Sequence, residues 1–138
     1  MIVTSVTPAA LLAGAPGVRL VVLGGEAETG SGELVGPVAL AALDDLHVDL
    51  AVLTPSGLDA RGAWAPTSST AQLHAAAARA ADRTVVVVGP EALGRPGRVR
   101  SVRLDEVDRV VAAPGEGVAQ RLGDLRASVR SGPELVTA

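Results

Sequence analysis

The sequence contains no cysteine, lysine, tyrosine or phenylalanine, and Trp64 is its single tryptophan. Without cysteine, neither a disulfide nor a thiolate metal site can form. Without lysine, a Gly-Lys-Ser/Thr phosphate loop cannot exist, and all 12 basic residues are arginines. Although 48% of the residues are apolar, almost none are aromatic. The core must therefore be built from valine, leucine and alanine, a composition that suits a sheet covered by alanine-rich helices.

Other absences narrow the function. There is no apolar run of membrane-spanning length and no charged and apolar leader after Met1. The two histidines are too few for a histidine-based metal cluster, and neither a Gly-x-Ser-x-Gly elbow nor a Gly-x-Gly-x-x-Gly turn is present. We therefore expect a soluble cytoplasmic protein, one domain of 138 residues with no cofactor, metal or membrane partner.

The charge distribution argues against DNA binding by this chain alone. The net charge is −3, whereas DNA affinity needs a clustered basic face. Four arginines do fall within a nine-residue segment from Arg95 to Arg103. In an extended segment, alternation places Arg98 and Arg100 on one face, which we interpret as a solvated or subunit-facing edge. No helix-turn-helix pattern appears, so DNA would be reached only through a domain absent from this chain.

Strand and helix patterns alternate along the sequence. Alternation of this length predicts an α/β fold with a mostly parallel sheet and helices on both faces. A Gly/Ser/Thr/Glu-rich stretch, 26–33, is predicted to be a mobile loop. The predicted strands are 2–4, 18–23, 49–53, 84–88, 98–103, 107–112 and 135–137, and the predicted helices are 8–13, 35–46, 69–81 and 118–129.

The stretch Asp49–Asp59 is the most informative. Mostly apolar residues run into Thr54-Pro-Ser-Gly57, as a buried strand runs into a turn. Ligands of open α/β sheets bind beyond such strand ends. Here Ser56 offers a hydroxyl, Gly57 lets a ligand approach the backbone, and Asp59 offers a carboxylate. The alternative is a plain surface turn with a solvated acid.

The surroundings of this stretch carry a family resemblance. From Ile2 to about Gly115, six segments resemble, in order and spacing, the carboxyl-terminal effector-sensing domain of DeoR-type bacterial transcriptional regulators. Members of that family typically show V-T-N-S, L-G-G, V-G-x-x-A, D-x-A-F-L-G-x-x-G-[IL]-D, A-D-S-S-K and D-[IV]-D-x-[LV]-[IV]-T-D. The corresponding segments of this chain are Ile2–Ser5, Val21–Gly25, Leu34–Ala39, Asp49–Asp59, Val85–Arg95 and Leu104–Val111.

The resemblance implies a three-layer α/β/α fold of the sugar-phosphate isomerase-like, Rossmann-like type. It also implies a ligand-sensing and oligomerising domain of a regulator whose effector is a small phosphorylated metabolite. His74 stands where the family has a helix lysine that faces the pocket; from the residues alone it would be a surface residue. The effector-binding residues implied are Gly24, Gly25, Ser56, Gly57, Leu58, Asp59 and His74.

Several departures from the family pattern predict an altered pocket. The D-S-G-T-T phosphate turn of the family lies upstream of the point matched by Met1, so we expect the first strand and helix to be missing. Gly89-Pro-Glu-Ala92 replaces D-S-S-K, and Ala112-Ala113 replaces the closing T-D. Ser5 stands where asparagine is usual. These changes remove most of the polar groups that would hold a sugar phosphate.

Two other functions remain open. One is an assembly module in which the pocket is vestigial and only the oligomer interface matters. The other is a stand-alone sugar-phosphate isomerase relative with Asp59 as general base. Isomerisation needs an acid/base pair and an oxyanion stabiliser, and the sequence offers only one candidate carboxylate. We therefore predict a sensor that has no catalytic residues.

Overall fold

The computed structural model describes residues 1–129 and 132–138, which form two compact units, 1–46 and 47–138. In the first unit, β1 pairs in parallel with β2, and β3 pairs antiparallel with β4. The elements of this unit are β1 (Ile2–Val3), α1 (Val6–Leu12), β2 (Val21–Val22), β3 (Glu26–Ala27), β4 (Leu34–Val35) and α2 (Pro37–Asp44).

The stretch 26–33, predicted to be a mobile loop, contains the short strand β3 at Glu26–Ala27, and its remaining residues connect β3 to β4. β3 pairs with β4, and beyond the pair the Glu28 N–H donates to the Glu33 carbonyl at 2.8 Å. The Gly32 N–H in turn donates to the Glu28 carbonyl at 2.9 Å. The glycines and serine that suggested a loop form the connection between two short strands.

Helix α2 begins later than its apolar spacing predicts. Val35 belongs to β4, and Gly36 has a φ of 93°, outside the helical region. Pro37 then occupies the first helical turn, where its missing N–H leaves no hydrogen bond unmade. Because valine fits a buried strand as well as a helix, apolar periodicity alone could not separate β4 from α2.

The second unit contains the parallel sheet that the sequence predicts. Its strands lie in the order β11-β10-β8-β5, and every neighbouring pair is parallel. The α/β class, of the sugar-phosphate isomerase-like kind, is confirmed. The elements of this unit are β5 (Ala51–Leu53), β6 (Gly57–Asp59), β7 (Gly62–Ala65), α3 (Ser68–Arg79), β8 (Thr84–Val88), β9 (Val99–Arg103), β10 (Arg109–Ala112), α4 (Val118–Ala127) and β11 (Glu134–Thr137).

The core of the second unit is aliphatic. β8 lies between β5 and β10, and its Val86 and Val88 are almost fully buried. Val110 of β10 and Leu93 of the loop after β8 are completely buried. Branched aliphatic side chains interdigitate closely without large rings, as the near-absence of aromatic residues requires.

A second, antiparallel sheet was not predicted. β7 pairs with β6 on one side and with β9 on the other. The two-residue loop Ala60-Arg61 joins β6 to β7. Short segments rich in glycine and alanine carry little strand propensity, so their pairing is decided by tertiary contacts.

A bulge in β9 sets which side chains share a face. Ala63 is opposite Val102, but Trp64 is opposite Arg100, so Ser101 is an extra residue. The Ser101 hydroxyl donates to the Ala63 carbonyl at 3.1 Å. Because the bulge shifts the alternation by one, Val102 lies with the buried Ala63, whereas Arg100 lies with Trp64.

Helix α3 packs against β9 and β7. It begins at Ser68, with Thr67 as its N-cap: the Thr67 hydroxyl accepts from the Thr70 N–H at 3.2 Å. It ends at Arg79, two residues before the end that the sequence predicts. None of the helices in the described part of the chain has the length and apolarity that a membrane span requires.

Substitution of Gly62 by alanine is expected to destabilise the antiparallel sheet. Gly62 has a φ of 137°, and a Cβ there would collide with the Val102 carbonyl oxygen of β9. We expect Gly62→Ala to lower the free energy of unfolding by at least about 2 kcal/mol. Urea unfolding followed by Trp64 fluorescence measures the change.

Gly123 of α4 provides the matched control. A Cβ at Gly123 would meet no atom within 4 Å. Since alanine is the better helix former, Gly123→Ala should raise the free energy of unfolding by about 0.5–1 kcal/mol. Equal effects at the two glycines would contradict the close approach of β9 to β7.

Candidate functional site

Ser56 lies at the carboxyl edge of the parallel sheet, in the turn between β5 and β6. Its N–H donates to the Trp64 carbonyl at 2.9 Å, and its hydroxyl donates to the same oxygen at 3.1 Å. The side chain is exposed. Ser56 therefore links the turn to β7 through two hydrogen bonds. Its hydroxyl oxygen can still accept a hydrogen bond from another group.

Asp59 ends β6 and is the centre of a polar cluster. Its Oδ1 accepts from the Trp64 indole N–H and from the Arg61 backbone N–H, both at 2.9 Å. Its Oδ2 accepts from Arg61 Nε at 3.2 Å and Nη2 at 3.0 Å. The Arg61 guanidinium also lies over the Trp64 ring, 4.6 Å from its centroid. Both carboxylate oxygens are thus occupied.

These contacts shift the pKa of Asp59. Partial burial by itself raises the pKa, but the hydrogen bonds from the Trp64 indole and from the Arg61 backbone and side chain outweigh it, with help from the guanidinium charge. The pKa of Asp59 consequently lies below its ordinary value of 3.8. The group is a firmly ionised anchor at neutral pH.

Gly57 and Leu58 lie beneath this cluster. Leu58 is completely buried; its N–H donates to the Ala92 carbonyl at 2.9 Å, and its carbonyl accepts from the Gly94 N–H at 2.7 Å. The group that approaches the Gly57 backbone closely belongs to the chain itself and is not a ligand. A Cβ at Gly57 would lie 2.6 Å from the Arg95 carbonyl oxygen. These two residues fix the position of β6 against the loop after β8.

His74 is buried in α3, with only 4% of its surface exposed. The expectation from the residues alone, a surface histidine, is wrong. One face of α3 is buried, and it includes Thr70, Leu73 and His74 at helical spacing. The helix packs on β7 and β9. In an alanine-rich helix, a single histidine gives little indication of which face turns inward.

Gly24 and Gly25 belong to the first unit, whereas the other five predicted residues belong to the second. Gly25 has a φ of 147°, and a Cβ there would lie 2.8 Å from the Val35 carbonyl oxygen of β4. At Gly24 a Cβ would lie 3.1 Å from the Val38 side chain. Within its own unit, Gly25 therefore allows two backbone segments to approach closely.

Arg61 and Trp64 are the site residues that sequence reasoning missed. Both sit on the hairpin formed by β6 and β7, and both bind the Asp59 carboxylate. A signal was present: two residues, Ala60-Arg61, separate Asp59 from Gly62, which fits a tight hairpin loop. The loop lacks the usual Asn-Gly or Asp-Gly pair, so the sequence contains no strong indication of a hairpin here.

A surface cavity of about 230 Å³ adjoins the cluster. Asp59 lines it from the hairpin, and Arg121 and Asp124 line it from α4. Arg121 Nη2 donates to the carbonyls of Glu116 at 2.8 Å and Pro90 at 3.2 Å, which holds its side chain across the loops at the carboxyl edge of the sheet. The cavity offers charged and hydrogen-bonding groups suited to holding a small polar molecule.

The family model described as the DeoR C terminal sensor domain matches residues 1–113. The chain belongs to this family. The match covers most of the chain, including β1 through β10 and the whole Asp59 cluster. No curated protein matches the chain.

Membership in the DeoR sensor family establishes the general role. Domains of this family sense ligands in DNA-binding regulators and are regulatory rather than catalytic. This DeoR-type domain is therefore a ligand-sensing regulatory domain.

The Asp59 cluster has a measurable pH signature. Because the pKa of Asp59 is lower in the folded chain, its contribution to stability is present above its unfolded pKa and is lost as the pH falls through the folded pKa. Asp59→Asn should be less stable than the parent chain at neutral pH, and the difference should shrink in acid below about pH 3.8. Urea unfolding at a series of pH values tests this. A difference that stays constant down to the lowest pH would contradict the assigned contacts.

Proposed function

We propose that this DeoR-type domain senses a small anionic metabolite through a pocket altered from the sugar-phosphate type. The observation that supports this most directly is the Asp59 cluster, where four hydrogen bonds from Arg61 and Trp64 satisfy the carboxylate. The Arg61 side chain remains 60% exposed. The hairpin thus presents a positioned guanidinium to solvent, and guanidinium groups bind carboxylates and phosphates well.

The same cluster argues against the isomerase alternative. A general base must be free to accept a proton from the substrate. Both oxygens of Asp59 already accept hydrogen bonds, and its pKa is lowered, so it is a weak base. These features support a binding role for Asp59 in place of a catalytic one.

The proposed effector site keeps the residues of the second unit that the family resemblance indicates, and Arg61 is added to them. In this proposal Ser56 contacts the ligand, Arg61 supplies the positive charge, and Asp59 holds Arg61 in position. Gly57 and Leu58 fix the backbone of β6. Occupation of the site would bias how subunits pack and thereby the spacing of DNA-binding domains in the full regulator. Within the second unit, the proposed set is Ser56, Gly57, Leu58, Asp59, Arg61 and His74.

Ordinary sugar phosphates are expected to bind weakly. Family lysines that would contact phosphate are replaced by Ala92 and His74, both of which are buried. Each lost charge-assisted hydrogen bond costs on the order of 1.5–3 kcal/mol, so two losses weaken binding by roughly a hundredfold or more. Calorimetric titration of the chain with a panel of pentose and hexose phosphates measures this.

Two variants locate the proposed site. We expect Arg61→Gln and His74→Ala each to abolish the remaining affinity. Arg126→Gln, which removes an exposed charge from α4, is the matched control. Since His74 is buried, its variant is compared only after urea unfolding shows that it folds. Micromolar binding that is unaffected by both variants would place the effector elsewhere.

We further propose that the domain self-associates. β5 lies at one end of the parallel sheet, and it exposes 57% of Val52 with Leu50 beside it at 44%. Exposed apolar side chains on an end strand favour contact with another chain. This observation equally supports the alternative of an assembly module with a vestigial pocket.

Light scattering tests self-association. We expect a dimer or larger species at high micromolar concentration, and Val52→Arg should dissociate it. Val38→Arg is the matched control, because Val38 of α2 is 63% exposed. A strictly monomeric parent chain would contradict self-association itself, whereas an oligomer that withstands Val52→Arg would contradict only the assignment to β5.

A further inference from the structure

We propose that the outer edge of β9 docks an extended, acidic polypeptide segment as an added strand. β9 is the last strand of the antiparallel sheet; one side of its backbone pairs with β7, and the other side pairs with no strand of the described residues. An open edge offers main-chain donors and acceptors to a further strand. This site is separate from the Asp59 carboxylate and does not depend on the effector.

The charge at this edge is basic and uncompensated. Arg98, which directly precedes β9, and Arg100 within it are exposed, and no carboxylate among the described residues pairs with them. Arg103 differs, because its Nε lies 3.1 Å from Asp105 and 3.6 Å from Glu106. Unpaired guanidinium groups beside an open strand complement the carboxylates of an incoming acidic strand.

The segment that leads into β9 packs closely against the β6–β7 hairpin. A Cβ at Gly97 would lie 2.6 Å from the Trp64 Cβ, and one at Gly57 would lie 2.6 Å from the Arg95 carbonyl oxygen. The Arg95–Gly97 backbone is therefore pressed against the hairpin. The bulge at Ser101 then places Arg100 on the same face as Trp64. A preorganised edge loses little conformational entropy on binding.

The arrangement favours an acidic polypeptide over two other occupants. A second copy of β9 would bring arginine against arginine, and like charges across a strand pair are destabilising. A nucleic acid duplex presents a long row of phosphates, whereas Asp105 and Glu106 end the basic row at Arg103.

Peptide titration of the intact chain tests the proposal. The probe is a fluorescently labelled peptide of alternating glutamate and threonine, followed by anisotropy and by the emission of Trp64, which faces Arg100 across the strand pair. We expect saturable binding that weakens with added salt. The double variant Arg98→Gln/Arg100→Gln should weaken binding by about tenfold or more.

Controls separate strand addition from simple charge attraction. Arg126→Gln removes a charge from exposed α4 and should bind the peptide as the parent does. The same peptide with N-methylated backbone keeps its charges but cannot pair as a strand, and we expect it not to bind. Equal binding of the N-methylated peptide, of a lysine-threonine peptide or of duplex DNA would overturn the proposal, as would indifference to the double variant.

Discussion

The candidate site depends on the hydrogen bonds that the Asp59 carboxylate accepts from Arg61 and Trp64. The carboxylate ties the end of β6 to the Trp64 indole on β7 and to Arg61 in the loop between them. Charge-assisted hydrogen bonds of this kind are about twice as strong as neutral ones. With the carboxylate satisfied, Arg61 is held over Trp64 and faces solvent. The acid thus organises the hairpin, and the positioned arginine becomes the group suited to contact an effector.

The sequence predicted the architecture of the parallel sheet well. β8 was predicted with its observed bounds, because a run of Thr84 and four valines is apolar on both faces and has high strand propensity. Alternation of strands with amphipathic helices then required parallel neighbours. The family segments around Asp49–Asp59 pointed to the same fold, and the family match over residues 1–113 agrees with them.

The contacts around Asp59 could not be predicted from the sequence. Asp59 was singled out, yet its partners Arg61 and Trp64 were missed because the hairpin that joins them has a loop without the usual turn residues. The bulge at Ser101 depends on whether Ala63 and Val102 are buried together. Their shared burial is decided by tertiary packing and cannot be predicted from local strand propensity. His74 was misplaced for the same reason.

The indole proton of Trp64 tests the account most directly, because the chain has a single tryptophan. In hydrogen-exchange NMR, the hydrogen bond to Asp59 predicts that this proton exchanges far more slowly than that of a free indole. Asp59→Ala should remove the protection, while the slow backbone amides of β8 stay protected. Rapid exchange of the indole proton in the folded parent chain would contradict the assigned cluster and the role proposed for Arg61.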